Sequence, residues 1–217
     1  ALSLQKKSVI ADPLLFQAWL NLSNVYLQLG NINQAEITIR KSLEINPSFH
    51  QSNCFLGSIL IKNGELEEAK QVINTAINLN SLYFMSHFNL GLIERELGNP
   101  ELADLSLRKC IKLNPDFPDA YSILALVVRD LGCPSKAELL ALKSIKINPE
   151  SPYFNYNLAV ILDDIGKLKE AEESLLNAIR LKDDFAEAFS NLGCIQRKLG
   201  KYNLAKKLQS RNHYDTK

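Results

Sequence analysis

The chain has 217 residues, with 25 Lys and Arg against 24 Asp and Glu, and a formal net charge of +1 at pH 7. This balance lacks the basic surplus with which proteins bind phosphate backbones, so we expect no nucleic-acid partner. Hydrophobic residues make up 46% and charged residues 23%, which is typical of a folded soluble protein, and no apolar run reaches the roughly 18 residues of a membrane span. We therefore expect no membrane association.

Four cysteines are present, and no two of them are spaced as a metal-binding pair. We expect all four to be free thiols that behave as small buried hydrophobic residues, which favours a reducing, cytoplasmic location. No metal or cofactor is expected. The four residues are Cys54, Cys110, Cys133 and Cys194.

A period of 34 residues runs through the chain. Each unit has a glycine that is followed five residues later by an alanine, and a proline recurs at the same period in four places. The glycines are Gly30, Gly64, Gly98, Gly132, Gly166 and Gly200. Because glycine and proline end helices, these residues mark the boundaries of a repeated element.

Each 34-residue repeat is predicted to form two antiparallel helices. Positions within the repeat are numbered so that residue 16 is position 1. Leucine at position 7, a small residue at position 8 and a branched residue at position 10 give apolar residues a helical spacing. The second helix carries alanine at position 20 and mostly small residues at position 27, which mark close helix packing. The pattern predicts an all-α fold, a right-handed α-solenoid of antiparallel helix pairs.

In chain order, residues 1–15 align with the second helix of a truncated repeat, so the sequence resembles a piece of something longer. Residues 186–217 give a partial repeat and a polar tail. We predict a single solenoid domain over residues 1–217, with complete repeats at 16–49, 50–83, 84–117, 118–151 and 152–185.

These positions together resemble the tetratricopeptide repeat family over essentially the whole chain. The family has a bulky residue at position 4, Leu with Gly or Ala at 7 and 8, Gly at 15, Ala at 20 and 27, and Pro at 32. Position 4 departs from this pattern at Asn53, His87 and Asn155, and position 11 departs from it at Glu94 and Gln196. We expect those units to pack more loosely.

The resemblance implies a concave groove lined by first helices, in which position 6 is Asn in four of six units. This asparagine column, together with residues 117–121 and 157–159, is similar to the asparagine ladder in the superhelical arm of O-linked N-acetylglucosamine transferase. An Asn amide can pair with an extended peptide backbone, or it can cap or bridge helices, and both interpretations remain open. The column is Asn21, Asn89, Asn157 and Asn191, interrupted by Phe55 and Ile123.

Other groove positions carry aromatic and basic side chains. Phe88 and Tyr156 at position 5 offer apolar contacts, whereas Arg95 and Arg129 at position 12 can pair with carboxylates. We predict that these four residues contact a protein or peptide partner. The alternative is that the apolar side chains complete the packing between units and the charged ones form a solvated rim.

No catalytic constellation is visible. The three histidines lie far apart, at a helix start, a packing position and the C-terminal tail, and no nucleotide-binding or hydrolase motif occurs. We therefore predict a non-catalytic protein–protein interaction module. Two alternatives are a substrate-recognition arm of a larger enzyme, such as a protein glycosyltransferase, and a scaffold that self-associates through its chain ends. The histidines are His50, His87 and His213.

Overall fold

A computed structural model describes residues 1–203 of the chain. Within this range the chain forms twelve α-helices and no strand. The predictions for Ala205, His213 and the polar tail lie outside the described residues. The helices are α1 (Leu2–Ala11), α2 (Phe16–Gln28), α3 (Ile32–Ile45), α4 (His50–Asn63), α5 (Leu66–Leu79), α6 (Phe84–Glu96), α7 (Pro100–Leu113), α8 (Pro118–Asp130), α9 (Pro134–Ile147), α10 (Pro152–Asp164), α11 (Leu168–Leu181) and α12 (Ala186–Lys198).

The ends of the helices follow from glycine and proline chemistry. Gly64 ends α4 in the left-handed conformation, with a φ of 79°, and its N–H donates to the carbonyl of Ile61. The other five glycines of the 34-residue period also have positive φ. Pro118 and Pro152 stand in the first turn of α8 and α10, where the missing N–H costs no helical hydrogen bond.

The chain divides into two compact units, of which the first spans Ala1–Leu113. In this unit α2 packs on α3, α4 on α5, and α6 on α7. Each second helix also contacts the first helix that follows it, and α4 contacts α6. The core of this unit contains the fully buried side chains of Ile39, Leu60 and Ile73.

The second unit begins at Asn114 and repeats the arrangement with α8 on α9 and α10 on α11. Helix α10 also contacts α8 and α9, and α12 packs on α11. Val127, Ile161 and Leu175 lie in its core. The predicted fold class, an all-α solenoid of paired helices, is confirmed, whereas the prediction of one domain over the whole chain stays a prediction.

Position 8 is small because the second helix of the same unit lies against it. A Cβ added to Gly57 would lie 2.6 Å from Cγ1 of Ile73, and one added to Gly91 would lie 2.6 Å from Cγ of Leu107. Both distances are far below van der Waals contact. Steric size therefore decides this position, as the sequence pattern predicts.

The polar residues at position 4 are buried and hydrogen-bonded. Trp19, the usual bulky type, donates from Nε1 to the carbonyl of Pro13 at 2.8 Å, six residues earlier. Asn53 donates from Nδ2 to the carbonyl of Pro47, also six residues earlier, at 3.0 Å. Nε2 of His87 lies 2.9 Å from the carbonyl oxygen of Ser81, which is again six residues earlier. Asn53 and His87 thus reproduce the link to the preceding turn, whereas Asn155 donates to the carbonyl of Ser151, four residues earlier, at 3.2 Å. The expectation that these units pack more loosely stays a prediction.

The polar side chains at position 11 form polar contacts with neighbouring segments. The side chain of Glu94 is only 5% exposed, and its Oε1 lies 2.8 Å from Nζ of Lys70 on α5. Its Oε2 accepts a hydrogen bond from Nδ2 of Asn99 at 3.0 Å. Gln196 is buried as well and donates to Glu172, which is paired with Lys201. These contacts replace the apolar packing that is usual at this position.

Two of the cysteines differ from the expectation. All four are free, and Cys54 and Cys110 are buried, but Cys133 and Cys194 are exposed. Cys133 precedes α9, and Cys194 lies within α12 beside a cavity, so the expectation of burial is wrong for them. Over residues 1–203, no helix has both the length and the apolarity needed to cross a bilayer.

Candidate functional site

The asparagine column links consecutive helix pairs. On α6, Nδ2 of Asn89 donates to the backbone carbonyl of Cys54 at 3.2 Å, and it lies 3.4 Å from the Cys54 sulfur. On α10, Nδ2 of Asn157 donates to the hydroxyl of Ser122 at 2.9 Å. In both cases the acceptor lies 35 residues earlier, at position 5 of the preceding unit.

Asn191 repeats this link by donating from Nδ2 to the hydroxyl of Tyr156 at 3.2 Å, again across 35 residues. The Cys54 carbonyl fixes the orientation of the Asn89 amide, because only the Nδ2 end can donate to it. For Asn157 and Asn191, Nδ2 faces a hydroxyl oxygen of Ser122 or Tyr156. Within residues 1–203, Oδ1 of Asn89, Asn157 and Asn191 accepts no hydrogen bond. These three asparagines therefore bridge consecutive helix pairs, which is one of the two roles that the sequence left open. Each bridge uses the amide Nδ2 and leaves Oδ1 unbonded among the described residues.

Asn21 differs from the other three members of the column. Its side chain is exposed on α2, and it forms no hydrogen bond within the part of the chain that the structure describes. Both ends of this amide are therefore available to a ligand.

The first helices of the first unit line an open cavity of about 460 Å³. It brings Asn21 and Asn89 together with Phe55, the residue that interrupts the column between them. The lining comprises apolar, carboxamide, hydroxyl and thiol side chains, and none of them is charged at neutral pH. The lining residues are Leu20, Asn21, Asn24, Gln51, Cys54, Phe55, Ser58, Tyr83, Met85 and Asn89.

The two weakly acidic groups of this cavity stay neutral at physiological pH. Burial raises the pKa of the Cys54 thiol to about 11, although the hydrogen bond from Asn89 lowers it in part. Burial also raises the pKa of Tyr83, and the neighbouring Cys54 adds to that shift. The cavity therefore presents no formal charge to a ligand.

The remaining predicted residues lie in different surroundings. Phe88 is half-buried on α6, beside Asn89 but outside the cavity lining. Arg95, on the same helix, has Nη1 3.9 Å from the Glu96 carboxylate. Arg129 on α8 lies 2.7 Å from Asp130 and 3.6 Å from Asp164 on α10, so carboxylates of the chain itself already face its guanidinium.

Tyr156 is fixed by contacts within the second unit. Its ring lies 5.2 Å from the ring of Phe185, centroid to centroid, and its hydroxyl accepts the bond from Asn191. Asn191 also borders a smaller cavity of about 80 Å³, together with Asp163 and Asp164. This second cavity is bordered by charged side chains, since Asp163 pairs with Lys198 and Asp164 faces Arg129, unlike the cavity of the first unit.

Sequence reasoning left out part of the lining of the larger cavity. Asn24 and Ser58 occupy position 9, and Gln51 occupies position 2. These positions belong to the groove that the resemblance implies, so the signal was present. Tyr83 precedes α6, and its inward placement follows from ring contacts, such as a 5.0 Å centroid separation from His50.

The two described histidines have structural partners. Nε2 of His50 lies 3.2 Å from Nδ2 of Asn80, and His87 contacts the Ser81 carbonyl. Among residues 1–203, no group of three or more His, Cys, Asp or Glu side chains could hold a metal ion. The arrangement offers hydrogen bonding and apolar contact.

Comparison with protein families identifies the repeat. Residues 16–49, 50–81, 86–117 and 186–211 match a model described as tetratricopeptide repeat, and residues 140–173 match a second model with the same description. The first model alone covers more than half of the chain. Comparison with curated protein sequences gives no match.

Several solved structures share the fold. PilF of Pseudomonas aeruginosa is 22% identical with a TM-score of 0.78, and the match covers 93% of each chain. YrrB, described as a TPR protein with an unusual peptide-binding site, is 19% identical with a TM-score of 0.60, over 88% of this chain and 98% of that one. A chain of the APC/C hetero-tetramer Cut9-Hcn1 is 15% identical with a TM-score of 0.84, over 89% of this chain and 38% of that one.

Proposed function

Since the chain belongs to the tetratricopeptide repeat family, whose members are generally protein–protein interaction modules, we propose that it binds an extended segment of a partner protein along its first helices. The role is non-catalytic. The asparagine column supplies hydrogen bonds to the main chain of the segment, and Phe88 and Tyr156 supply apolar contacts. Arg95 and Arg129 contact acidic side chains of the segment.

The observation that supports this proposal is that three asparagines of the column use only their Nδ2 atoms for bonds within the described part of the chain. Because the preceding unit holds Nδ2 of Asn89, Asn157 and Asn191, their Oδ1 atoms are oriented acceptors. A main-chain N–H of an extended segment is the complementary donor. Such a bond requires no reorientation of the amide on binding, which reduces the entropic cost.

The column is tolerant of sequence because it addresses the peptide backbone. Selectivity between partners must therefore come from the side chains beside the column. Recognition of acidic side chains by Arg129 requires it to exchange its present contacts with Asp130 and Asp164. We expect this arginine to contribute less than the amides, since exposed ion pairs stabilise by roughly 0–1 kcal/mol.

The test is a binding measurement with a peptide selected against the wild-type chain from a random-peptide display library. Replacing Asn21 by Ala removes an exposed amide that has no structural bond. We expect the peptide to bind about fivefold more weakly, equivalent to ~1 kcal/mol. Isothermal titration gives both dissociation constants directly.

The matched control is Asn78→Ala on α5, because Asn78 is also exposed but lies on a second helix. Its dissociation constant should equal that of the wild type. Equal affinity of the Asn21→Ala variant and a loss of affinity on Asn78→Ala would place binding on the opposite helices and end the proposal. Roles as an enzyme's substrate-recognition arm or as a self-associating scaffold stay predictions.

A further inference from the structure

We propose that the cavity of the first unit receives an uncharged apolar side chain of the bound segment, seated on Phe55 between Asn21 and Asn89. This inference rests on the proposed function and specifies the chemistry of its partner. It selects segments that carry Leu, Met or Phe at one position and disfavours segments that carry Lys, Arg, Asp or Glu there.

The lining combines apolar and polar side chains. Leu20, Phe55 and Met85 are apolar, and Asn21, Asn24, Gln51 and Asn89 contribute four carboxamides. An apolar side chain that enters loses contact with water and gains contact with these three residues. The carboxamides meanwhile pair with main-chain N–H and C=O groups, which would otherwise be left without partners.

The absence of charge from the lining explains why the cavity should favour uncharged side chains over charged ones. All ten lining residues are neutral at physiological pH, so a charged side chain would lose hydration without gaining a counter-charge. The smaller cavity in the second unit, which Asp163 and Asp164 border, shows that the chain does place charged side chains beside the column elsewhere. An uncharged lining is therefore specific to the first cavity and is not a general feature of the repeats.

The size of the cavity fits an anchor residue with its adjoining main chain. A volume of about 460 Å³ lies within the roughly 300–1,000 Å³ range of ligand pockets in proteins. Phe55 distinguishes this site, since it replaces in one 34-residue repeat the Asn that position 6 carries in the repeats on either side. The interruption of the column is thus the feature that provides specificity.

The experiment uses the single methionine of the sequence, Met85, which lies in the cavity lining. Protein labelled with ¹³C at the methionine methyl gives one resonance, which reports occupancy of the cavity. The probes are capped heptapeptides, Ser-Gly-Ser-Xaa-Ser-Gly-Ser, in which Xaa is Leu, Met, Gly, Lys or Glu. We expect the Leu and Met peptides to shift the resonance in a saturable way, with dissociation constants at least tenfold below those of the Lys and Glu peptides.

Two variants separate apolar contact from folding. Phe55→Leu keeps an apolar side chain in the lining, so the Leu peptide should still shift the Met85 resonance. Phe55→Asn replaces that apolar side chain with a carboxamide, so the shift should be lost. Circular dichroism checks that both variants keep the helical content of the wild type. An equal response of Phe55→Asn and wild type would overturn the role of Phe55.

The outcomes also separate this inference from the proposed function. If the Lys or Glu peptide shifts the Met85 resonance as strongly as the Leu peptide, the selectivity is wrong and binding along the first helices stands. If backbone amide signals of α2, α4 and α6 move while the Met85 methyl does not, the anchor is wrong and the proposed function again stands. If no signal moves with any peptide, the anchor is overturned and the proposed function loses support as well.

Discussion

Asn89 and Cys54 are joined across consecutive helix pairs, with Nδ2 of the asparagine 3.2 Å from the cysteine carbonyl oxygen. The asparagine is only 4% exposed, so this bond is shielded from water. A residue of the candidate site therefore also holds the first unit together. Its removal must affect stability as well as binding.

Replacing Asn89 by Ala should lower the free energy of unfolding by about 1–2 kcal/mol, because it removes a buried hydrogen bond and leaves a small void. Asn21→Ala should change it by less than about 0.5 kcal/mol, since Asn21 is exposed and has no such bond. Urea unfolding followed by circular dichroism compares the two variants. Equal stability of both would contradict the structural role of the Asn89 bond.

The half-buried ion pair of Glu94 and Lys70 provides a second test. Lys70→Met leaves the Glu94 carboxylate with Asn99 alone, and we expect a loss of roughly 1–3 kcal/mol, reduced from the value for fully buried pairs because Lys70 is 37% exposed. The same urea experiment measures it.

The double variant Lys70→Met with Glu94→Leu is the control for this pair. It restores the apolar residue that the repeat usually carries at position 11, so its stability should return to the wild-type value or exceed it. A double variant less stable than Lys70→Met alone would show that the polar contacts at position 11 are not interchangeable with apolar packing.

Close helix packing at position 8 predicts that Gly57→Ala is destabilising. Alanine in a helix normally gains roughly 0.5–1 kcal/mol over glycine, but here the added methyl meets Ile73 and should cost about 1–3 kcal/mol instead. Thermal unfolding decides the sign of the change.

The change is coupled to the size of the facing side chain. Combining Gly57→Ala with Ile73→Ala should cost less than the sum of the two single changes, because the smaller residue at 73 removes the clash. Strict additivity would mean that these two residues do not face each other.

The thiols differ in reactivity. At about pH 8, iodoacetamide should modify the exposed Cys133 and Cys194 and spare the buried Cys54 and Cys110, since the thiolate is the reactive species. Burial raises the pKa of Cys54 to about 11 and that of Cys110 to about 12. Mass spectrometry after denaturation should show all four modified. Rapid native labelling of Cys54 would contradict its burial.

The same pKa shifts fix the sign of an alkaline effect on stability. The unfolded thiol of Cys54 loses its proton near pH 9, and the folded one near pH 11. Below pH 9 both states are protonated and the thiol adds no pH dependence. Above pH 9 the unfolded state releases the proton first, so stability falls as pH rises. Cys54→Ala should show a smaller fall between pH 9 and 11.

The fold could be predicted from the sequence because the same constraint recurs in each unit. Glycine at the left-handed helix end and a small residue at position 8 are local requirements, visible in the spacing of Gly30 and Gly64 and confirmed at Gly57. The polar residues at positions 4 and 11 could not be interpreted in this way. Their partners, such as the Pro47 carbonyl for Asn53, are backbone groups or side chains outside the apolar pattern.

The candidate site could be predicted only in part. Position 6 follows from the repeat, but the direction of each amide depends on what position 5 of the preceding unit offers, whether a carbonyl at Cys54 or a hydroxyl at Ser122. The cavity around Phe55 depends on three helices at once. Spacing along one helix carries no information about such a volume.

The most direct test of peptide binding by the first helices is a map of backbone amide chemical shifts on addition of the display-selected peptide. The account predicts that the largest shifts occur on α2, α4 and α6, around Asn21, Phe55 and Asn89. Shifts confined to the second helices α3, α5 and α7 would contradict it.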